Sequence, residues 1–238
     1  MDAVVDGFKK LAVAAVSDAM DRLGIQGQCL GIQSISNGSK MAGRAFTVKY
    51  VPCGVDKGTV GDYIDDVPPG HVIVLDNVGR LDCTVWGDLL TSVANKRRLA
   101  GTVIHGACRD VARSIELGYP IFSRGKFMRT GKDRVQMDGM NVPVSLGDVR
   151  VSPGDIVLGS DDGVLIVPQE HESEVLSLAE SISAIEEQIL SAAIAGTRLD
   201  EARKTFRYHE LQRKGQPLDF MSQPLRRNLR RFRVDKID

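Results

Sequence analysis

The chain has 238 residues, 42% of them hydrophobic, enough for one sizeable core and, at this length, one domain or a domain with an appendage. Its 31 basic and 31 acidic residues cancel, so no global field draws it to nucleic acid or to an anionic membrane. Met1 opens no charged-apolar-small signal pattern and no apolar run reaches membrane length, so a soluble cytoplasmic protein is expected.

Phe8, Leu11, Ala12, Ala15, Val16, Ala19, Met20 and Leu23 recur at helical spacing, predicting one amphipathic opening helix that Gly24 stops. Asp18 and Asp21 share a face of it; capping and solvent exposure explain them as well as function does, and they stay outside the catalytic set. Residues 44–51 alternate like a strand, 58–66 read as a short helix, and Pro68-Pro69-Gly70 turns into an apolar strand over 72–75. An amphipathic helix begins near Asp88 with its body over 91–99. A buried strand covers 102–105, Gly106-Ala107-Cys108 turns the chain, and a further helix starts around Asp110. Short strands follow at 121–123, 142–145, 155–158 and 164–167, with Ser160-Asp161-Asp162-Gly163 as a tight hairpin connection. A long helix over 170–195 carries Val175, Leu178, Ala179, Ile182, Ile185 and Ile189 on one stripe and ends at Gly196. This alternation predicts a layered α/β domain with mixed sheets over residues 1–199.

Residues 200–238 form a charged extension, helical or extended, in which Arg226, Arg227, Arg230, Arg231 and Arg233 cluster. A solvated tail, an arm packed on another subunit and a contact to nucleic acid or acidic protein all suit it. The interleaved Phe206, Tyr208, Leu211, Phe220, Leu225, Leu229 and Phe232 keep the arm in play.

The segment Trp86-Gly87-Asp88-Leu89-Leu90 and the pair Arg109-Asp110 carry the chemistry. Both fall where a strand runs into a helix, the position at which open α/β sheets hold ligands. The free N–H groups of Asp88, Leu89 and Leu90, with the helix dipole behind them, suit a carboxylate or enolate oxygen. Arg109 offers a planar fork that matches a carboxylate in two places. Asp110 is a hard oxygen donor for Mg²⁺ or Mn²⁺, ions that keep several waters and need only one or two protein carboxylates. On spacing alone the signal is weak, because helices often begin with Asp for capping.

Other constellations carry less. Cys29, Cys53, Cys83 and Cys108 are scattered without C-x-x-C spacing, which argues for reduced thiols rather than zinc. His71, His105, His171 and His209 are isolated; only His105 lies near the proposed site, and packing explains it better. The 24 glycines form neither G-x-G-x-x-G nor a P-loop, so a dinucleotide or ATP site is rejected.

Gly87-Asp88-Leu89-Leu90, Gly101-Thr102-Val103-Ile104-His105-Gly106, Arg109-Asp110, Glu116-Leu117-Gly118-Tyr119-Pro120-Ile121-Phe122 and Asp161-Asp162-Gly163-Val164 together resemble the RraA-like family over roughly residues 16–197. That family contains class II 4-hydroxy-4-methyl-2-oxoglutarate/4-carboxy-4-hydroxy-2-oxoadipate aldolases and regulators of ribonuclease E activity. The resemblance implies a helix/sheet sandwich related to the swivelling β/β/α domain, assembled as trimers or paired trimers with active sites between subunits. It implies that Asp110 binds the divalent ion and Arg109 the pyruvate moiety. Asp88 would orient a water, and the backbone of Leu89 and Leu90 would hold substrate beside Gly87. A glutamate of the neighbouring subunit's long helix, Glu186 with Glu187 as the less favoured choice, would reach the metal waters; a solvated helix face explains both equally well. The activity implied is cleavage of a small 4-hydroxy-2-oxo acid to pyruvate, with oxaloacetate decarboxylation beside it. The alternative is a non-catalytic regulator binding ribonuclease E or another protein; in such members the acid at Asp110 can be replaced, and here it is retained.

Overall fold

A computed structural model describes residues 2–208. The opening periodicity yields two helices instead of the single one expected, α1 (Ala3–Phe8) and α2 (Val13–Leu23). The spacing of apolar residues is continuous, yet the chain changes axis over 9–12, where Ala12 is extended at ψ 137°. Periodicity counts residues per turn and is blind to direction. Val5 and Phe8 of α1 and Ala15, Val16, Ala19 and Met20 of α2 still enter one core. Gly24 ends α2 as expected, in the left-handed conformation (φ 73°) that a Cβ disfavours.

The strands are β1 (Gln33–Ser34), β2 (Met41–Pro52), β3 (Val72–Thr84), β4 (Gly101–Cys108), β5 (Ile121–Lys126), β6 (Val135–Met140), β7 (Val144–Leu146), β8 (Val149–Val151), β9 (Ile156–Ser160) and β10 (Gly163–Val167). The main sheet runs β1-β5-β4-β3-β2-β9-β10, with β6 paired to the far half of β2. β2 to β5 are parallel neighbours and every other pair is antiparallel, so the sheet is mixed as expected. Ser160 pairs with Gly163, leaving Asp161 and Asp162 as a two-residue turn. β7 and β8 make a separate hairpin. The expected helix over 58–66 is only a single 3₁₀ turn at Ile64–Asp66. Its backbone is satisfied across space instead: Gln136 Oε1 accepts the Gly58 N–H (3.2 Å) and Thr59 O accepts the Met137 N–H (2.9 Å).

Helices α3 (Asp88–Lys96) and α4 (Val111–Leu117) cover one face of the parallel strands, burying Ile73, Leu75, Ile104 and Ile121. Their neighbours Val72, Val74, Val103 and Phe122 face the other way, onto the β7–β8 hairpin. This is the two-residue alternation of strands converted into two cores. The β9–β10 end is covered by α1, α2 and the long helix α5 (Glu172–Ile194), whose Val175, Leu178, Ala179 and Ile182 are buried. The result is a layered helix/sheet sandwich. A last helix, α6 (Leu199–Thr205), buries Ala202 and packs on α5. The residues from His209 onward, the arginine cluster 226–233 among them, lie outside the described residues. Among the described residues no helix is long and apolar enough to cross a membrane.

Candidate functional site

The carboxyl ends of β3 and β4 lie side by side because the two strands pair in parallel, and Arg109 N–H donates to Trp86 O at 3.0 Å just beyond them. That bond brings residues far apart in sequence into one cleft. Gly87 caps α3 with an extended backbone (φ −151°), and the first helical hydrogen bond is from Thr91 N–H to Gly87 O. The N–H groups of Asp88, Leu89 and Leu90 thus precede the helical ladder, as the start of any helix requires.

Asp110 sits at the cap position of α4 in the left-handed region (φ 56°, ψ 35°) and makes no side-chain cap to its own helix. Its carboxylate crosses to α3 instead. Oδ2 accepts the Asp88 N–H at 3.4 Å and lies 3.3 Å from Arg109 Nε. A left-handed conformation costs a non-glycine residue about 1–2 kcal/mol, and such strain concentrates at functional positions. The capping explanation open to the sequence therefore does not describe Asp110. Nor does it describe Asp88, which is the first helical residue rather than the cap; its Oδ1 accepts the N–H of Leu89 at 2.9 Å. Gly87 leaves the space that the carboxylate fills: a Cβ there would stand 2.7 Å from Asp110 Oδ2 and 3.3 Å from Arg109 Nε.

The floor beneath is rigid. Trp86 is buried and stacks on Tyr119 (centroids 6.3 Å apart, 9° between planes), while its Nε1 donates to Thr91 Oγ1 at 2.9 Å. Thr91 in turn donates to Gly87 O at 2.8 Å, and Arg113 Nε bonds Ser92 Oγ at 3.2 Å, joining α4 to α3. Above the floor the groups are open, with side-chain exposures of 39% for Arg109 and 42% for Asp110, which leaves them accessible to a ligand.

The sequence missed the segment at 127–131. It crosses the ends of β4 and β3, with Phe127 N–H donating to Cys108 O, Thr84 N–H to Arg129 O and Gly131 N–H to Thr84 O. It thereby borders the Arg109 corner. Backbone bonds hold it, and these leave no residue signature. Cys108 is buried against Ser123, and burial pushes its thiol pKa up, the opposite of what a nucleophile needs. His105 Nδ1 pairs with Asp76 Oδ1 at 3.1 Å, so packing accounts for it as expected.

Glu186 stands apart from this cluster within one chain. It lies on α5 facing α2, where burial first, and then the charge of Asp18, raises its carboxyl pKa. Asp21 is engaged by Gln28 Nε2 at 3.1 Å. Among the described residues no three His, Cys, Asp or Glu side chains gather into a metal cluster.

A mixed sheet with a helix start, an arginine and an aspartate converging at its strand ends defines an α/β domain with a polar cleft at the carboxyl end of its parallel strands. The RraA-like family model, described as Aldolase/RraA, matches residues 13–166, and the chain belongs to this family. Protein DlpA of Legionella pneumophila is 42% identical over 201 residues, covering 83% of this chain and 32% of that one, so the chain spans about a third of that relative's length. A Halalkalibacterium halodurans protein named "Putative 4-hydroxy-4-methyl-2-oxoglutarate aldolase" is 35% identical over 182 residues, 76% of this chain and 83% of that one. The crystal structure of an uncharacterized protein from Pseudomonas syringae pv. tomato superposes with a TM-score of 0.80 at 41% identity, covering 84% of this chain and 96% of that one.

Proposed function

We propose that this protein is a divalent-metal-dependent aldolase that cleaves 4-hydroxy-2-oxo acids of the 4-hydroxy-4-methyl-2-oxoglutarate type to pyruvate, with oxaloacetate decarboxylation as a companion reaction. The observation that carries the reading is the position of Asp110 Oδ2, turned away from its own helix toward Arg109 Nε and the Asp88 N–H. The relative named for this substrate supports the same chemistry.

The residues fit a hydrated cation. Asp110 Oδ1 has no partner among the described residues, and the missing side chain of Gly87 lets the carboxylate lie against the start of α3 without a clash. One carboxylate suffices for an ion that retains its waters. Asp110 would hold Mg²⁺ or Mn²⁺, and Glu186 of a neighbouring subunit in a trimer or hexamer would meet the ion's waters. When bound, the ion supplies Lewis-acid stabilisation of the negative charge that builds on the keto oxygen as C3–C4 breaks.

The chain's own groups do the rest. Arg109 grips the substrate carboxylate with its planar fork, and the N–H groups of Leu89 and Leu90 orient the oxygens beside it. Asp88, which holds the Leu89 N–H, exchanges that bond for a water through which the C4 hydroxyl proton passes to the Asp88 carboxylate and is returned to C3 of the pyruvate fragment once C3–C4 has broken.

Pyruvate release from 4-hydroxy-4-methyl-2-oxoglutarate and from oxaloacetate, measured with Mn²⁺ or Mg²⁺, tests the assignment. Chelator and Asp110→Ala should each abolish it. Absence of turnover on both substrates with Mn²⁺ present would end the aldolase reading.

A further inference from the structure

We propose that the protein has a second binding site, for a monocarboxylate with an apolar tail, at the end of the sheet opposite Arg109 and Asp110. A cavity of about 510 Å³ opens there, within the ~300–1,000 Å³ typical of small-molecule sites. It lies where β3 and β4 begin, beside Gly70 and Ala100, whereas Arg109 and Asp110 stand where β4 ends. The eight residues of β4 set the two roughly 25 Å apart at a rise of ~3.3 Å per residue. The inference is independent of the aldolase reading.

The cavity is amphipathic. Leu11 and Val13, partly exposed over the buried Phe8, Met41 and Leu158, give it an apolar wall, and Lys9, Lys40 and Arg98 supply cations against one acid, Asp162. Lys9 is neutralised by Asp6 at 2.8 Å and Asp162 takes a hydrogen bond from Ser160, but Lys40 and Arg98 meet no carboxylate among the described residues. Both are exposed and line this one cavity. A Cβ on Gly101 would lie 2.7 Å from Met41 Sδ, so the start of β2 lies against the start of β4 at this end of the sheet.

Two backbone features coincide with this wall. The break between α1 and α2 falls at 9–12, where no glycine or proline demands it, and Lys9, Leu11 and Ala12 from that break line the cavity. Arg98 is held in the left-handed region at φ 59°, with its carbonyl accepting the Gly70 N–H at 2.9 Å. Glycine would occupy that turn without strain, yet the position carries a guanidinium that lines the cavity. A carboxylate head beside Lys40 and Arg98, with an apolar tail against Leu11, Ala12 and Val13, uses both the exposed cations and the accessible part of the wall.

Isothermal titration of octanoate into the full chain tests this, with acetate as the head without the tail and 1-octanol as the tail without the charge. Octanoate should bind saturably, one per chain, and both controls about tenfold more weakly or worse. Arg98→Gly and Lys40→Glu should each weaken octanoate about fivefold or more, and Arg109→Ala should leave it unchanged. Arg98→Gly should keep or raise the melting temperature, because glycine takes the left-handed turn freely, so its loss of binding reads the cation and not the fold. Unsaturable octanoate binding, equal binding of 1-octanol, wild-type affinity in either cation variant or loss of binding in Arg109→Ala would each overturn the proposal.

Discussion

Gly87 is required for space and not for backbone freedom. Its φ of −151° suits any residue, but an added methyl would collide with the Asp110 carboxylate. Gly87→Ala should therefore lower kcat/KM about 10²-fold, the scale of losing one preorganised polar contact, with little change in melting temperature; steady-state kinetics and thermal unfolding check both. At Arg109 the fork matters more than the charge. Arg109→Lys should lower kcat/KM about 10- to 100-fold, the equivalent of ~1.5–3 kcal/mol for a charge-assisted hydrogen bond. Asp76 gives the pH dependence. Burial pushes its pKa up, but hydrogen bonds from His105, Val78 and Ser145 outweigh this and hold it below the ordinary value. A lowered carboxyl pKa contributes stability that is complete above the unfolded value of ~3.9 and lost as pH falls through the folded one. Denaturation midpoints of wild type and Asp76→Asn should therefore converge as the pH is lowered below about 4.

Between elements, Arg44 is the tie. It projects from β2 to Asp2, the cap of α1, at 2.7 Å, to Glu172 at the start of α5, and to Gly154 O at 3.1 Å. The guanidinium and the Glu172 carboxylate are only 17% and 15% exposed, so removing one strands the other away from water. Arg44→Ala should cost about 2–3 kcal/mol in urea unfolding, below the ~3–5 kcal/mol of a fully buried pair. At this scale the sequence was informative about type and weak about extent. The apolar stripe of α5 and the Gly24 stop were legible because periodicity and capping act within a turn or two. β3 runs to Thr84, far beyond the apolar run at 72–75, because pairing with β4 and not side-chain character carries it past the left-handed Val78 and Gly79. β6 and β8 were not anticipated, since their existence depends on β2 and β7 lying beside them.

At the scale of the whole molecule, the single chain gathers Arg109, Asp110 and the α3 start but leaves Glu186 facing Asp18. If a neighbouring subunit completes the site, as proposed, inactive Arg109→Ala and Glu186→Ala proteins should complement one another when refolded together. Random pairing across a cyclic interface would restore roughly a quarter of the sites, seen as pyruvate release in the mixture and none in either parent. The sequence by itself determined the chemical vocabulary: a helix start after Trp86, a fork and a hard oxygen donor at Arg109-Asp110, and an alternating α/β order that calls for a layered sheet. Tertiary structure alone decided that Asp110 abandons its own helix for α3, that the opening helix bends into two, and that a cationic cavity forms behind the sheet. Caps and periodicity act over a few residues, whereas those three outcomes depend on which strands lie side by side and on the space their neighbours leave.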